Sequence, residues 1–216
     1  MDFVGAYSAE NLKFLMEGLY ITLFVAFVAI ILSFLLGCIL GVTRYTNIPV
    51  LSQISFVFVE IIRNLPLLLL IFFMRFALPE VGIKLGPVAA AITALTIFEG
   101  AMISEIVRAG LASVDKGQIE AARSSGLTSV QTLWHIVLPQ GLRRMVPPLV
   151  SQFISLLKDT SLGVVISLAE LMHNAGIIIG HGFNYTIPTL LLVALIYFTV
   201  NYLLSLLSKR LEAKNA

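Results

Sequence analysis

Four charged side chains stand inside otherwise apolar runs: Arg63, Glu99, Lys158 and Asp159. A charge in hydrocarbon costs about 2.5–3.5 kcal/mol on insertion scales, so such groups are normally paired or functional. The four formal charges cancel. Lys158 and Asp159 also open the run Lys158-Asp159-Thr160-Ser161, which sets two hydroxyls beside two charges. Two readings stay open for this set. In one, interhelical ion pairs and hydrogen bonds fix the packing, and Arg63 also pairs with Glu60 one turn away. In the other, some of the groups face a cavity, where opposite charges would hold the two ends of a zwitterion. Chemistry of other kinds is missing. There is no GxxxxGK[ST] loop, so the chain cannot hydrolyse ATP by itself. There is no HExxH and no Ser-His-Asp set in a plausible site. The single cysteine, Cys38, excludes an internal disulfide framework and a CxxC site, and reads as a small buried hydrophobe.

The elements that must carry these residues follow from composition. Of 216 residues, 58% are apolar and 12% charged, with a mean hydropathy of +0.98. A soluble domain is roughly 45–50% apolar and about 25% charged. These values exclude a disordered chain, a nucleic-acid binder and an ordinary soluble enzyme; they point to an all-α polytopic membrane protein of one domain, residues 1–216. The net charge of +2 suggests no basic ligand surface. The first 17 residues hold Asp2, Glu10, Lys13 and Glu17, unlike the basic start of a signal peptide, so the first apolar run is expected to be retained.

Five spans are expected. Gly18 to Thr43 is free of charge for 26 residues, roughly 39 Å of helix. Helix two runs from about Leu51 to Ala77, with Pro66 expected to bend it, and helix three from about Pro87 to Arg108. Helix four runs from about Met145 to Leu168, bent by Pro147-Pro148 and free to unwind at Gly163. Helix five covers about Ile187 to Ser208, after a loop with a short helix. Rise arithmetic places Arg63, Glu99, Lys158 and Asp159 at a similar depth, roughly 18–20 Å in. Arg75 should snorkel outward, and Glu105 with Arg108 should form a local pair. Arg44, Arg108, Lys116, Arg123, Arg143, Arg144, Lys209, Arg210 and Lys214 gather on one side, against Lys13 and Lys84 on the other. The positive-inside rule then puts the N-terminus outside and the C-terminus in the cytoplasm.

The stretch between helices three and four, about 109–144, is polar and punctuated. Asp115 is a fit N-cap, with Gln118 three residues on, and Gly126 a fit C′ residue; a helix of about ten residues fits between them. Thr128-Ser-Val-Gln131 is a capping box for a second short helix, Ser129 to about Leu138, which Pro139 should stop. Trp134 should pack that second helix against the membrane part. Physics alone leaves open whether this is a merely folded loop or a rigid projection with a task.

Glu120-Ala121-Ala122, three residues, Gly126, nine residues, Ile136, one residue and Leu138-Pro139 resemble, at every defined position, the EAA loop of ABC importer permeases. Ile62-Arg63-Asn64-Leu65-Pro66, the run Ser104 to Gly110, and Ser155-Leu-Leu-Lys158-Asp159-Thr160-Ser161-Leu162 resemble the histidine/glutamine/arginine class of polar amino-acid importers. Glu99 departs from the small or neutral residue expected there in that class.

The resemblance implies a permease subunit in a bacterial inner or plasma membrane, working by alternating access and not itself an enzyme. It makes Glu120, Ala121, Ala122, Gly126, Ile136, Leu138 and Pro139 the coupling helix that docks on an ATPase. Lys158, Asp159, Thr160, Ser161, Glu99 and Arg63 become candidates for the substrate pathway. No cofactor is expected in this chain, because ATP and magnesium would bind the ATPase. The implied partners are an ABC ATPase homodimer, a second permease subunit of the same or a related chain, an external solute-binding protein, a polar amino acid and the lipid bilayer. Nucleic acid is not among them. Glutamine or glutamate, or a basic amino acid, would be the cargo; Glu99 and Asp159 lean to a cationic or neutral side chain. The alternative read from the buried charges alone is an ion-coupled secondary transporter or channel.

Overall fold

The computed structural model describes the backbone of residues 1–215 and the side chains of residues 1–206. Among these residues the elements are helical throughout: α1 (Phe3–Ala6), α2 (Ala9–Tyr45), α3 (Leu51–Arg63), α4 (Leu67–Phe72), α5 (Pro87–Ala112), α6 (Lys116–Ser124), α7 (Ser129–Thr132), α8 (Leu138–Asp159), α9 (Leu171–Gly180) and α10 (Thr186–Asn215). The stretches at α2, at α5, from Ser129 to Ile166 and from Phe183 to Leu206 are each long and apolar enough to cross a membrane. The fifth expected span is a bent pair. α3 and the stretch Leu67–Val81 meet at 101°. Pro66 sits at the break with an extended backbone, and Leu67 begins the next helix. Lys209, Arg210 and Lys214, which helped to set the expected orientation, have side chains outside the described residues.

α2 is longer than expected. Ser8 caps it, its hydroxyl accepting from the Asn11 N–H at 3.3 Å, so Glu10, Lys13 and Glu17 lie on the helix rather than before it. Most of its buried positions are small: Gly18, Thr22, Ala26, Ala29, Ser33, Gly37 and Gly41 recur every three or four residues. From Ala26 onward they face Ala90, Ala91, Ala94, Gly100, Ala101 and Ser104 of α5, whereas Gly18 and Thr22 meet the start of α9. Small residues let two backbones approach, the means by which helices associate where lipid is as apolar as leucine. At Gly37 an added Cβ would lie 2.5 Å from Ile103 and 3.0 Å from the Gly100 carbonyl. α8 packs against α5 and also touches α2, where Phe34 meets Phe153 edge-on. An added Cβ at Gly110 would collide with Met145, and Leu156 and Leu157 complete the core around Leu95 and Ala101.

Pro139 does not end the second short helix. The N–H of Leu138 reaches back five residues to the Leu133 carbonyl, so a π turn over Leu133–Val137 absorbs one extra residue. Pro139 then falls in the first turn of α8, where a missing N–H costs little. Helix four therefore begins inside the polar stretch and is continuous with it. Pro147 and Pro148 sit within α8 without interrupting it. The expected unwinding at Gly163 is not what the structure has: α8 tightens into a 3₁₀ stretch over Thr160–Ile166, with Gly163 pressed against Leu168.

Candidate functional site

The polar stretch folds as an elbow at one end of the bundle. Asp115 caps α6, its Oδ1 accepting from the Gly117 N–H at 2.7 Å. At the other end Gly126 takes φ +87°, a left-handed conformation that costs glycine little. The Leu127 N–H then returns to the Ala122 carbonyl at 3.2 Å and the Gly126 N–H to the Arg123 carbonyl at 3.0 Å, a Schellman closure. Thr128 opens α7 with a complete capping box: the Gln131 N–H donates to its hydroxyl at 3.2 Å, and the Thr128 N–H donates to Gln131 Oε1 at 2.8 Å. Glu120 and Ala121 are exposed on α6, and Ala122 is buried beneath them. Ile136 and Leu138 are half-buried and Pro139 is exposed. Trp134 is 61% exposed rather than packed against the bundle. The π turn over Leu133–Val137 buries Val137 instead and leaves the indole on the open side.

The elbow is joined to the bundle at both roots. Val137 packs with Val107, Leu111, Val114 and Met145 in one apolar cluster. The Arg144 guanidinium donates to the Ser113 carbonyl at the end of α5. About two turns deeper, Glu105 accepts from Arg44 of α2 at 2.9 Å and pairs with Arg108, as expected for the latter. Arg63 reaches the same carboxylate at 3.9 Å and Glu60 at 3.5 Å. Arg63 therefore belongs to the elbow end and stands apart from Glu99, Lys158 and Asp159. The equal-depth arithmetic failed because α3 is set at 101° to its continuation, so rise along its axis is not depth. Arg75 reaches toward the loop before α5, in line with the outward course expected of it, and donates to the Leu85 carbonyl at 3.1 Å.

The other charges do come together. Glu99 is completely buried on α5, and its Oε2 accepts from Gln152 Nε2 of α8 at 2.7 Å. Its Oε1 has no partner. The Asp159 carboxylate sits beside it, next to Lys158. Lys158 is exposed, while Asp159 and Ser161 are partly so; the Ser161 hydroxyl donates to the Lys158 carbonyl at 2.7 Å. Thr160 is buried and donates to the Leu157 carbonyl at 2.7 Å. The arrangement offers the Lys158 ammonium, the Asp159 carboxylate and the Ser161 hydroxyl where α8 passes into the 3₁₀ stretch, with Glu99 sealed behind them. Such a set suits a ligand that carries both charges. Gln152 had been passed over, although it lies seven residues before Asp159 and hence on the same helical face. Glu170 was also missed, because glutamate is not a preferred N-cap type. It is completely buried and caps α9, accepting from the N–H groups of Met172 at 2.8 Å and His173 at 2.7 Å. Among the described residues no group of three or more His, Cys, Asp or Glu side chains could hold a metal ion.

Residues 33–215 match the family model described as binding-protein-dependent transport system inner membrane component. The chain is 67% identical over 216 residues to the probable glutamine ABC transporter permease protein GlnP of Bacillus subtilis (strain 168), covering 99% of each. It is 34% identical to the glutamine transport system permease protein GlnP of Escherichia coli (strain K12), covering 93% of this chain and 92% of the relative. Among solved structures it resembles an amino acid ABC transporter crystallised with histidines, at 29% identity and a TM-score of 0.91 over 99% of both chains. It also resembles the MetNI methionine ABC transporter in an inward-facing form, at 25% identity and a TM-score of 0.82, over 97% of this chain and 99% of that one.

Proposed function

The chain belongs to the binding-protein-dependent transport system inner membrane components and is the multi-pass permease subunit of an ATP-driven amino-acid importer, a premise on which we propose that it carries glutamine or a related polar amino acid by alternating access. Membership in this family sets aside the ion-coupled alternative. A permease of this kind works with an ATPase and a second permease subunit. In the proposed assembly the ATPase is a homodimer that holds ATP and magnesium, no cofactor sits in this chain, and an external solute-binding protein delivers the cargo. The elbow end faces the cytoplasm and α9 faces outward, in line with the lysines and arginines gathered at the elbow.

The observation that carries the coupling role is the elbow itself: a doubly capped pair of short helices, fixed to α5 and α8 at its roots and offering Glu120 and Ala121 to a partner. A push on the elbow would reach α5 and α8 without being absorbed by a soft linker. α8 carries the same push to Lys158 and Asp159, where the substrate's carboxylate and ammonium would be held. Glu99 is sealed in this conformation, so it acts from behind, keeping Gln152 and Asp159 in place. Arg63, joined to Glu105 and Glu60, acts at the inner mouth rather than in the pathway. The test is L-glutamine uptake in proteoliposomes holding the whole complex. Uptake should be ATP-dependent, resist collapse of the proton gradient, and be outcompeted by unlabelled glutamine. Full uptake by a Glu120→Lys complex, or competition by arginine alone, would overturn the corresponding part.

A further inference from the structure

A buried polar knot lies at the far end of the bundle, away from the elbow. Glu170 needs only two backbone N–H groups to cap α9, yet its Oε2 also accepts from the Tyr197 hydroxyl of α10 at 3.3 Å. The same hydroxyl sits beside those of Thr22 on α2 and Thr160 at the start of the 3₁₀ stretch. Thr22 Oγ1 in turn accepts from the Leu171 N–H at 3.1 Å. Thr22, Thr160 and Glu170 are all at most 1% exposed. Asn174 adds a second tie from α9 to α2, donating to the Phe14 carbonyl at 2.8 Å. Gly18 admits this approach, since a Cβ there would lie 3.0 Å from the Glu170 carbonyl. The first half of α9 is thus bonded to two other elements, α2 and α10. In its second half Gly176, Ile177 and Gly180 are exposed, while Ile178 is buried.

One tyrosine hydroxyl therefore stands between the root of an exposed outer helix and Thr160, the neighbour of Asp159. We propose that Glu170 and Tyr197 are positioning residues that pass the seating of the external partner on α9 to the 3₁₀ segment beside Lys158–Ser161; this rests on the importer reading above. The bonds made in this buried network hold Glu170, Tyr197, Thr22 and Leu171 in one arrangement, and breaking one is costly there, although Asn174 Oδ1 has no partner. Apolar packing alone would hold α9 to α2 but would not fix its angle to Thr160.

Tyr197→Phe removes one hydroxyl and leaves both backbone bonds to Glu170 intact. The experiment uses the complete complex in proteoliposomes with its loaded binding protein, and reads basal ATP hydrolysis, stimulated hydrolysis, and uptake against binding-protein concentration. Tyr197→Phe should assemble and hydrolyse ATP at the basal rate but lose stimulated maximal uptake by about tenfold, the scale of one hydrogen bond to a charged group. The half-saturating concentration of binding protein should change by less than about twofold. Glu170→Gln keeps one acceptor oxygen and should lose less. Stimulation at the wild-type level in both variants would overturn the proposal. So would a loss that falls equally on assembly and basal hydrolysis, the mark of a purely structural bond. A wild-type complex that shows no stimulation by any binding protein would overturn the importer reading itself, whatever residue stands at 197.

Discussion

The elbow and the far-end knot are both polar, both capped and both set against apolar helices, yet they are built by opposite means. Every bond that shapes the elbow joins residues within five positions of each other: Asp115 to Gly117, Ala122 to Leu127, Thr128 to Gln131. The bonds of the knot span the chain, 149 positions between Thr22 and Leu171 and 160 between Phe14 and Asn174. An element that presses on a separate protein in water must keep its own shape, and local bonds do that. An element that must move with the bundle is shaped by the bundle. The difference teaches that the motor-facing end of this permease is preformed, whereas the far end is an outcome of helix packing.

The comparison breaks most visibly at Gly126. Gly126→Pro cannot take φ +87°, so the angle between α6 and α7 is lost. Uptake should fall to background while the subunit still inserts and binds its second permease, as read by co-purification from the membrane. If uptake survived, the elbow would not be a rigid lever. Next in size is Gly37→Leu. The new side chain meets Ile103 and the Gly100 carbonyl, forcing α2 from α5 at a cost of about 1–3 kcal/mol. Thermal unfolding in detergent should drop by several degrees, and the far-end knot should open with it because α2 carries Thr22. An elbow whose hydrogen exchange is unchanged in this variant would sharpen the contrast.

A smaller effect is expected at Gln152→Leu, which leaves the buried Glu99 carboxyl without its partner and should cost about 1–3 kcal/mol. The double variant Glu99→Leu, Gln152→Leu should regain most of that stability, since a pair of apolar groups leaves nothing unsatisfied. Uptake should stay low in the double variant if the pair serves transport and return if it serves packing only. The smallest effect is Asp115→Ala, which removes one cap worth about 1 kcal/mol. Hydrogen exchange should quicken about fivefold over the first turn of α6 and nowhere in α9.

The helical class, the five apolar stretches and the elbow were legible because each is announced by residues close in sequence. Charge-free runs mark spans, and Asp115, Gly126 and Thr128 mark caps at the positions where the structure has them. Gly163 suggested an unwinding after α8, where the structure has a 3₁₀ helix that already begins at Thr160. The errors share one cause. Pro139 reads as a stop, but a π turn just before it let the helix run on. Arg63 was placed by counting rise along a helix that turns through 101° at its end. Trp134 was assigned to the bundle by its type, although its face of the helix points outward.

Composition and local pattern by themselves determined that this chain crosses a membrane, and that it carries a stiff capped projection between its third and fourth apolar stretches. These features depend on hydropathy and on bonds closed within a turn or two. Only the tertiary structure decided which charges meet. Glu99 finds Gln152 and Asp159, Arg63 joins Glu105, and Glu170 meets Tyr197 because of how closely α2, α5 and α8 approach and how sharply α3 bends. Those distances are set by small side chains on facing helices and by one break in the backbone, and a side chain's neighbours across a helix interface leave no trace in its own local sequence.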